Sequence, residues 1–168
     1  MSAANFVQRW HQRASKSQDC FDQFFSAWIA LTIKARGHLG AQQLSQPDTD
    51  RIAIIQYLEV RADDVVAALG RKPKQLEWVA RRTGTGTGRP ILDVHPYSPK
   101  GLRQKFDTLS LVWSGQASRK PRWVANATAE MINHVRNNMF HGQKAPDDAA
   151  DRELLDRINP ILLGLLDI

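Results

Sequence analysis

The chain has 168 residues, 42% hydrophobic and 24% charged, which is the composition of an ordinary globular protein long enough to bury a core. Its lone cysteine, Cys20, excludes an intrachain disulfide and a multi-cysteine zinc site. No apolar run approaches the roughly 18 residues that cross a bilayer, and the N-terminus has no basic-then-apolar signal pattern. We therefore expect one domain over residues 1–168, in the cytoplasm and not in a membrane.

Positive charge is concentrated in residues 71–105, which hold nine basic and two acidic residues for a net charge of +7, whereas the other residues sum to −1. Such a segment favours a polyanionic partner, and nucleic acid is the commonest one in the cytoplasm. The segment also fits a solvent-exposed loop whose charges serve only to keep the protein soluble. For the nucleic-acid interpretation, we predict that Arg81, Arg82 and Arg89 contact RNA phosphates.

The spacing of apolar residues predicts helices along most of the chain. The first spans about residues 20–37. The second runs from an N-cap at Asp48 or Thr49 to Gly70, and a short third helix includes Trp78.

Residues 83–100 interrupt the helical pattern. Three glycines alternate with threonines there, and three prolines follow, which predicts a long flexible basic insertion with room for a short hairpin. The glycines lack the Gly-Lys-Ser/Thr ending of a phosphate-binding loop, so a flexible loop is the favoured interpretation.

Helical spacing resumes at Leu102, followed by a helix between Pro121 and Gly142 and a last helix bent at Pro160. We predict an all-α fold, a bundle of four to six helices with the insertion at about residues 83–100. The predicted buried stripes of the last two helices are Val124, Ala127, Met131, Val135 and Met139, and Leu154, Leu155, Ile158, Ile161, Leu162 and Leu165.

The end of the helix before Gly142 gathers residues suited to phosphodiester chemistry. Asn133, Asn137 and His141 recur every four residues and share one side, and Arg136 lies beside them. The negative end of the helix dipole favours imidazolium, so His141 is expected to titrate near neutral pH.

These residue types suit RNA cleavage, in which the ribose 2′-OH attacks the adjacent phosphate without a metal or a cofactor. Arg136 would neutralise phosphoryl charge, His141 would move protons, and Asn137 would orient either of them. One Arg and one His are few for both acid and base, and a symmetric dimer would supply two of each. Arg-x4-His also arises by chance, and spacing alone favours a helix end with a surface Arg and a capping His.

Other polar and aromatic residues carry weaker signals. Asp93 and His95 make only two ligands, too few for a metal site. Cys20 lacks a matched base and is predicted to be an inert core thiol. Three tryptophans on helical stripes are predicted to be core residues and not base-stacking surfaces: Trp28, Trp113 and Trp123.

The pattern of Arg136, Asn137 and His141, followed by Gly142, resembles the signature of HEPN domains. The wider string is VRNNMFHGQK; the strings DQFFSAWIALTIKA and LLDRINPILLGLL are similar to an aromatic-rich helix and the closing helix of that family. The resemblance covers roughly residues 20–40 and 100–168.

The resemblance implies a helical bundle that dimerises with its motif helices facing each other. It implies metal-independent endoribonuclease activity in toxin–antitoxin, anti-phage defence or stress systems, with an antitoxin or defence protein as partner. Arg136 and His141 would be the catalytic pair, and Asn137 the polar residue beside the Arg. One subgroup has a modified Tyr where this chain has Gln143, which argues against that regulation.

Two alternatives remain open. Some HEPN proteins are inactive, so the chain also fits a non-catalytic helical dimer that binds RNA or a protein. It further fits a plain helical interaction subunit whose basic segment docks an acidic partner.

Overall fold

In the computed structural model, the described residues are 3–42, 47, 49–82, 99–116, 120–140 and 148–168. These residues form eight α-helices and no β-strand. In chain order the helices are α1 (Ala3–Lys16), α2 (Cys20–Ala41), α3 (Asp50–Val60), α4 (Ala62–Gly70), α5 (Pro73–Arg81), α6 (Pro99–Trp113), α7 (Pro121–Phe140) and α8 (Ala149–Leu166).

The predicted all-α fold is confirmed, but the eight described helices exceed the four to six expected. One addition is α1, which was not predicted although its apolar residues Phe6, Trp10 and Ala14 recur every four residues. Most of the predicted insertion lies outside the described residues, and its last two positions, 99–100, belong to the first turn of α6.

Side-chain caps begin several helices where the sequence places a short polar residue. Asp19 accepts a hydrogen bond from the backbone N–H of Asp22 at 2.9 Å, at the start of α2. Thr49, one of the two N-cap residues predicted for α3, caps that helix in the same way, and Asp148 caps α8. Each cap pairs an N–H that the helix itself leaves unsatisfied, which typically stabilises by about 1 kcal/mol.

Helix α6 is followed by a turn at Gly115, which has a φ of 73° and whose hydrogen bonds return to the last turn of the helix. The Gln116 N–H donates to the Leu111 carbonyl at 2.8 Å, and the Gly115 N–H donates to the Val112 carbonyl at 3.1 Å. This is the pattern of a Schellman motif, in which glycine takes the left-handed position without steric cost.

Two predicted helix boundaries are wrong. The sequence predicts one helix up to Gly70, whereas the chain breaks at Arg61, whose Nε donates to Asp64 at 2.7 Å. The first predicted helix ends near Gly37, whereas α2 continues to Ala41. A glycine inside a helix costs only about 1 kcal/mol, and full burial of Leu39 in the next turn offsets that cost.

The core forms where α2, α7 and α8 pack with the shorter helices. Helix α2 packs against α1, α3 and α8, and α7 packs against α3, α4 and α6. The predicted stripes of α7 and α8 are buried, except that Met139 is only partly buried. Helix α8 runs through Pro160 to Leu166, and the neighbouring Asn159 donates from Nδ2 to the Cys20 carbonyl at 2.9 Å.

Two polar side chains hold the final residues against the bundle. Lys34 Nζ donates to the carbonyl of Leu166 at 2.6 Å and to an oxygen of Ile168. The Tyr57 hydroxyl donates to the same Ile168 oxygen at 3.1 Å. Burial lowers the pKa of Lys34 and raises the pKa of Tyr57, because it disfavours the charged form of each.

None of the helices in the described parts of the chain is both long enough and apolar enough to cross a membrane.

Candidate functional site

The last turn of α7 carries Arg136 and Asn137, two of the three residues predicted to act on a phosphate. The Arg136 guanidinium donates from Nη1 to Asn137 Oδ1 at 3.1 Å. Its central carbon lies 5.9 Å from the centroid of the Trp28 ring, and Trp28 is a core residue of α2. Arg136 is itself partly buried. The guanidinium is therefore positioned by a neighbouring amide and a fixed ring.

The same helix carries a second polar pair one residue further along. The Asn138 Nδ2 lies 3.0 Å from His134 Nε2. Asn133 in the preceding turn is buried. Two adjacent amides thus contact different partners, and only Asn137 contacts the Arg.

The third predicted residue, His141, lies outside the described residues. The same holds for the predicted RNA contact Arg89, for Asp93 and His95, and for Gln143.

Arg81 and Arg82, the other two predicted RNA contacts, lie at the end of α5. Arg81 donates from Nε to Glu77 Oε1 at 2.9 Å, and its guanidinium carbon lies 5.7 Å and 5.8 Å from the ring centroids of Phe106 and Trp113 on α6. These contacts fix an Arg whose side chain is 59% exposed.

Arg82 shares an aromatic ring with an arginine from another helix. Its guanidinium carbon lies 5.2 Å from the centroid of the Trp78 ring, and that of Arg157 on α8 lies 5.5 Å from the same centroid. Arg157 was not among the predicted site residues, because it is distant from Trp78 in the chain and reaches the ring through the packing of α8 on α5.

A groove of about 560 Å³ opens beside these residues, and we call it the α5 groove. Among the described residues, Lys74, Glu77, Trp78, Arg81 and Arg82 line the groove. Lys74 and Trp78 were not among the predicted site residues, although with Arg81 and Arg82 they follow the i, i+4, i+7, i+8 spacing of one helix face.

The basic segment does not act as one uniform patch in the folded chain. Lys105 lies 3.7 Å from Glu130, which is only 13% exposed and also pairs with Arg51. This part of the predicted positive charge is therefore partly offset within the bundle, by a carboxylate that Lys105 shares with Arg51.

The three tryptophans predicted to lie in the core divide into two groups. Trp28 is buried and Trp113 is partly buried against the core, as predicted. Trp123 is 43% exposed, and the Lys120 ammonium lies 3.9 Å from its ring centroid. That prediction was wrong because Trp123 lies in the first turn of α7, before the buried stripe begins.

Cys20 is buried, as predicted, and burial raises the pKa of its thiol, which disfavours the nucleophilic thiolate. Within the parts of the chain that the structure describes, no three His, Cys, Asp or Glu residues are grouped so that they could hold a metal ion.

The two sets of predicted site residues are held by different helices. The ring beside Arg136 belongs to α2, whereas the rings beside Arg81 and Arg82 belong to α5 and α6. The structure therefore offers a single positioned guanidinium on α7 and a cation-rich groove on α5.

Comparison of the chain with protein-family models, with curated proteins and with solved structures finds no match in any of the three.

Proposed function

We propose that the chain is a metal-independent endoribonuclease of the HEPN type, acting through Arg136 and His141. The observation that carries the proposal is the contact of Arg136 with Asn137 on the last turn of α7, beside the Trp28 ring. A guanidinium held in this way loses little conformational freedom when it binds a phosphate, and His141 follows in the next turn of the sequence pattern.

The proposed reaction needs only groups of the RNA and of this chain. The ribose 2′ oxygen forms a bond to phosphorus as the bond from phosphorus to the 5′ oxygen breaks. The 2′-OH loses a proton and the 5′ oxygen gains one, and His141 serves one of these transfers. Arg136 binds the phosphoryl oxygens as their charge increases, and Asn137 positions Arg136. The products have a 2′,3′-cyclic phosphate and a 5′-hydroxyl.

A homodimer completes the proposed site. Acid and base are both required, and one chain supplies only one motif with a single His, so two motifs in a shared cleft would provide both groups. Sedimentation equilibrium of the purified chain is expected to give twice the mass of 19.0 kDa. A monomer at the concentrations at which RNA is cleaved would contradict the composite site.

The test of the activity is cleavage of mixed RNA in EDTA by wild type, His141→Ala and Arg136→Ala. Wild type is expected to leave 2′,3′-cyclic phosphate ends, and both variants are expected to lose cleavage by at least about 10²-fold. The matched control is Arg122→Ala, an exposed Arg on the first turn of α7, which should cleave as wild type does. No cleavage by folded wild type would remove the enzymatic proposal.

We propose a toxin–antitoxin or anti-phage defence setting, in which a second protein restrains the cleavage of cellular RNA. Expression of wild type in a bacterial host is then expected to arrest growth, and expression of His141→Ala is not. Equal growth arrest by the two proteins would argue against an RNA-cleaving toxin.

The second candidate is a non-catalytic helical dimer that binds RNA. The observation favouring it is that four basic side chains meet at or beside the α5 groove, whereas Arg136 is partly buried. This candidate predicts RNA binding that survives in Arg136→Ala, without products bearing a cyclic phosphate.

A further inference from the structure

We propose that the α5 groove is a binding site for single-stranded RNA, in which one unstacked base contacts the Trp78 ring while Arg82 and Arg157 bind the flanking phosphates. The choice of RNA as the polyanion rests on the proposed function, but the residues and their arrangement are independent of the α7 motif.

The ring holds two guanidiniums from different helices in place. Arg82 of α5 and Arg157 of α8 lie 5.2 Å and 5.5 Å from the Trp78 ring centroid. A guanidinium over a ring keeps its N–H groups available at its edge, where they can donate to phosphate oxygens in pairs. The ring therefore holds two phosphate-binding guanidiniums in position, and the packing of α8 on α5 sets the distance between them.

The groove is large enough to admit a group the size of a small molecule. Its volume of about 560 Å³ is within the range of about 300–1,000 Å³ that is typical of small-molecule sites. Trp78 is half-buried and lines it, so the groove offers an aromatic surface as well as charge. Stacking of bases on aromatic side chains or on guanidinium planes is the usual way in which proteins recognise single-stranded RNA.

Charge at the groove strongly favours an anion. In the part of the chain that the structure describes, Lys74, Arg81 and Arg82 line it and Arg157 adjoins it, and Glu77 is the one carboxylate of that lining. Glu77 accepts from Arg81 at 2.9 Å and so both orients that Arg and neutralises part of its charge. Removal of the carboxylate should therefore increase affinity for a polyanion, an effect that loss of structure would not produce.

The aromatic ring distinguishes single-stranded RNA from two other anionic partners. An RNA duplex keeps its bases stacked and would offer the groove only its backbone, and an acidic peptide has no base to place against Trp78. Both partners would depend on the cations and not on the ring.

The test is fluorescence anisotropy of wild-type chain with a labelled 2′-O-methyl oligouridine, which lacks the 2′-OH and cannot be cleaved by the proposed reaction. Trp78→Leu is expected to weaken binding about 10-fold. Arg82→Gln combined with Arg157→Gln should weaken it and reduce the slope of log affinity against log salt by about 0.7 for each phosphate that the chain no longer binds. Glu77→Gln should strengthen binding several-fold.

The matched control is Trp123→Leu, because Trp123 is also an exposed ring next to a cation, Lys120, but lies on α7. It should bind the oligonucleotide as wild type does. Circular dichroism and thermal melting check each variant, and the two Arg→Gln changes and Glu77→Gln test the proposal even if Trp78→Leu does not fold.

Several results would overturn the groove proposal. The first is that Trp78→Leu binds the oligonucleotide with wild-type affinity. The second is that Trp123→Leu loses as much affinity as Trp78→Leu does. The third is that inorganic polyphosphate competes for the groove as well as unlabelled oligouridine of equal charge. Its failure is separable from that of the ribonuclease. If groove variants weaken binding but wild type cleaves no RNA, the RNA-binding proposal for the groove is supported and the ribonuclease proposal is not. If wild type cleaves RNA and groove variants bind normally, the ribonuclease proposal is supported and the groove proposal is not.

Discussion

The end of α7 and the α5 groove both combine arginine with tryptophan, but they do so in opposite ways. On α7, one partly buried guanidinium lies beside a core ring, Trp28, and donates to the adjacent Asn137. On α5, two guanidiniums contact the half-buried ring of Trp78 at a groove. The first arrangement restricts one cation to one place, and the second spreads positive charge over a surface.

This difference matters because catalysis and binding require different things of a cation. Stabilising a transition state depends on a donor that is already in position, since its reorganisation would add to the barrier. Retaining a polyanion depends on the number of phosphates bound, to which exposed side chains can adjust. We therefore expect changes on α7 to affect turnover and changes on α5 to affect affinity.

The largest expected effect contrasts the two tryptophans. Trp28→Ala removes a ring that is only 6% exposed and should lower the free energy of unfolding by about 3–5 kcal/mol. Trp78→Ala removes a half-buried ring that packs partly against the core and contacts two cations, and it should cost less, about 2 kcal/mol. Urea denaturation of both variants measures this difference. Similar losses in the two would mean that Trp78 belongs to the core and not to a binding surface.

The next effect separates turnover from affinity. If the proposed reaction holds, Arg136→Ala should lower kcat for RNA cleavage by about 10²–10³-fold with little change in KM, because in that reaction the guanidinium would bind the phosphoryl oxygens most strongly in the transition state. Arg82→Gln with Arg157→Gln should raise KM and leave kcat near the wild-type value. Steady-state kinetics on one oligonucleotide gives both parameters. Matching changes in both variants would erase the distinction between the two regions.

A smaller effect is expected for the adjacent amides of α7. Asn137→Ala should lower kcat about 10-fold, the order expected when a hydrogen bond to a charged group is removed. Asn137→Asp keeps an acceptor oxygen and should restore much of the rate. Asn138→Ala is the control, because Asn138 pairs with His134 and not with Arg136. Loss of rate in Asn138→Ala equal to that in Asn137→Ala would assign the effect to the helix end in general.

The smallest effects are on the pH dependence of stability, at sites apart from both regions. The hydrogen bond from Arg13 lowers the pKa of Asp22 in the folded chain, so its contribution is present above the unfolded value of about 3.9 and is lost as pH falls below it. Asp22→Asn should make the melting temperature fall less steeply as pH is lowered into the acid range, without changing RNA affinity. An unchanged dependence of the melting temperature on acid pH would show that other carboxylates control it.

Tyr57 acts at the opposite end of the pH range. Burial raises the pKa of its hydroxyl, so its contribution is complete below the unfolded value of about 10 and is lost as pH rises through the folded value. Tyr57→Phe removes the hydrogen bond to Ile168, worth about 1 kcal/mol, and should flatten the alkaline limb. Melting temperatures at pH 8 and above 10 test this.

The spacing of apolar residues was sufficient to predict the long helices but not the positions at which helices break or end. All six residues predicted for the buried stripe of α8 are buried, because large apolar residues recur on one face, and Leu166 is buried with them. The break at Arg61 was not predicted, because apolar spacing continues on both sides of it and the ion pair with Asp64 leaves no sequence signature. The extension of α2 beyond Gly37 depends on packing that outweighs helix propensity.

The candidate site divides along the same line. The adjacency of Arg136 and Asn137 is inherent in the sequence, since consecutive residues on a helix are always near each other. That Trp28 lies beside Arg136 could not be predicted, because the two are far apart in the chain and meet only through packing. The exposure of Trp123 was missed for a related reason: periodicity identifies a helix face but not the point at which the core ends.

The sequence by itself determined the all-α class, the N-cap of α3 to within two residues, Asp48 or Thr49, and the order of polar residues on α7, because each depends on local spacing and on side chains a few residues apart. Only the tertiary structure decided which cations meet which rings. Arg157 of α8 contacts the Trp78 ring of α5, and Lys105 of α6 pairs with Glu130 of α7. Such contacts depend on helix packing, which brings distant residues together through burial of apolar area and not through any local pattern.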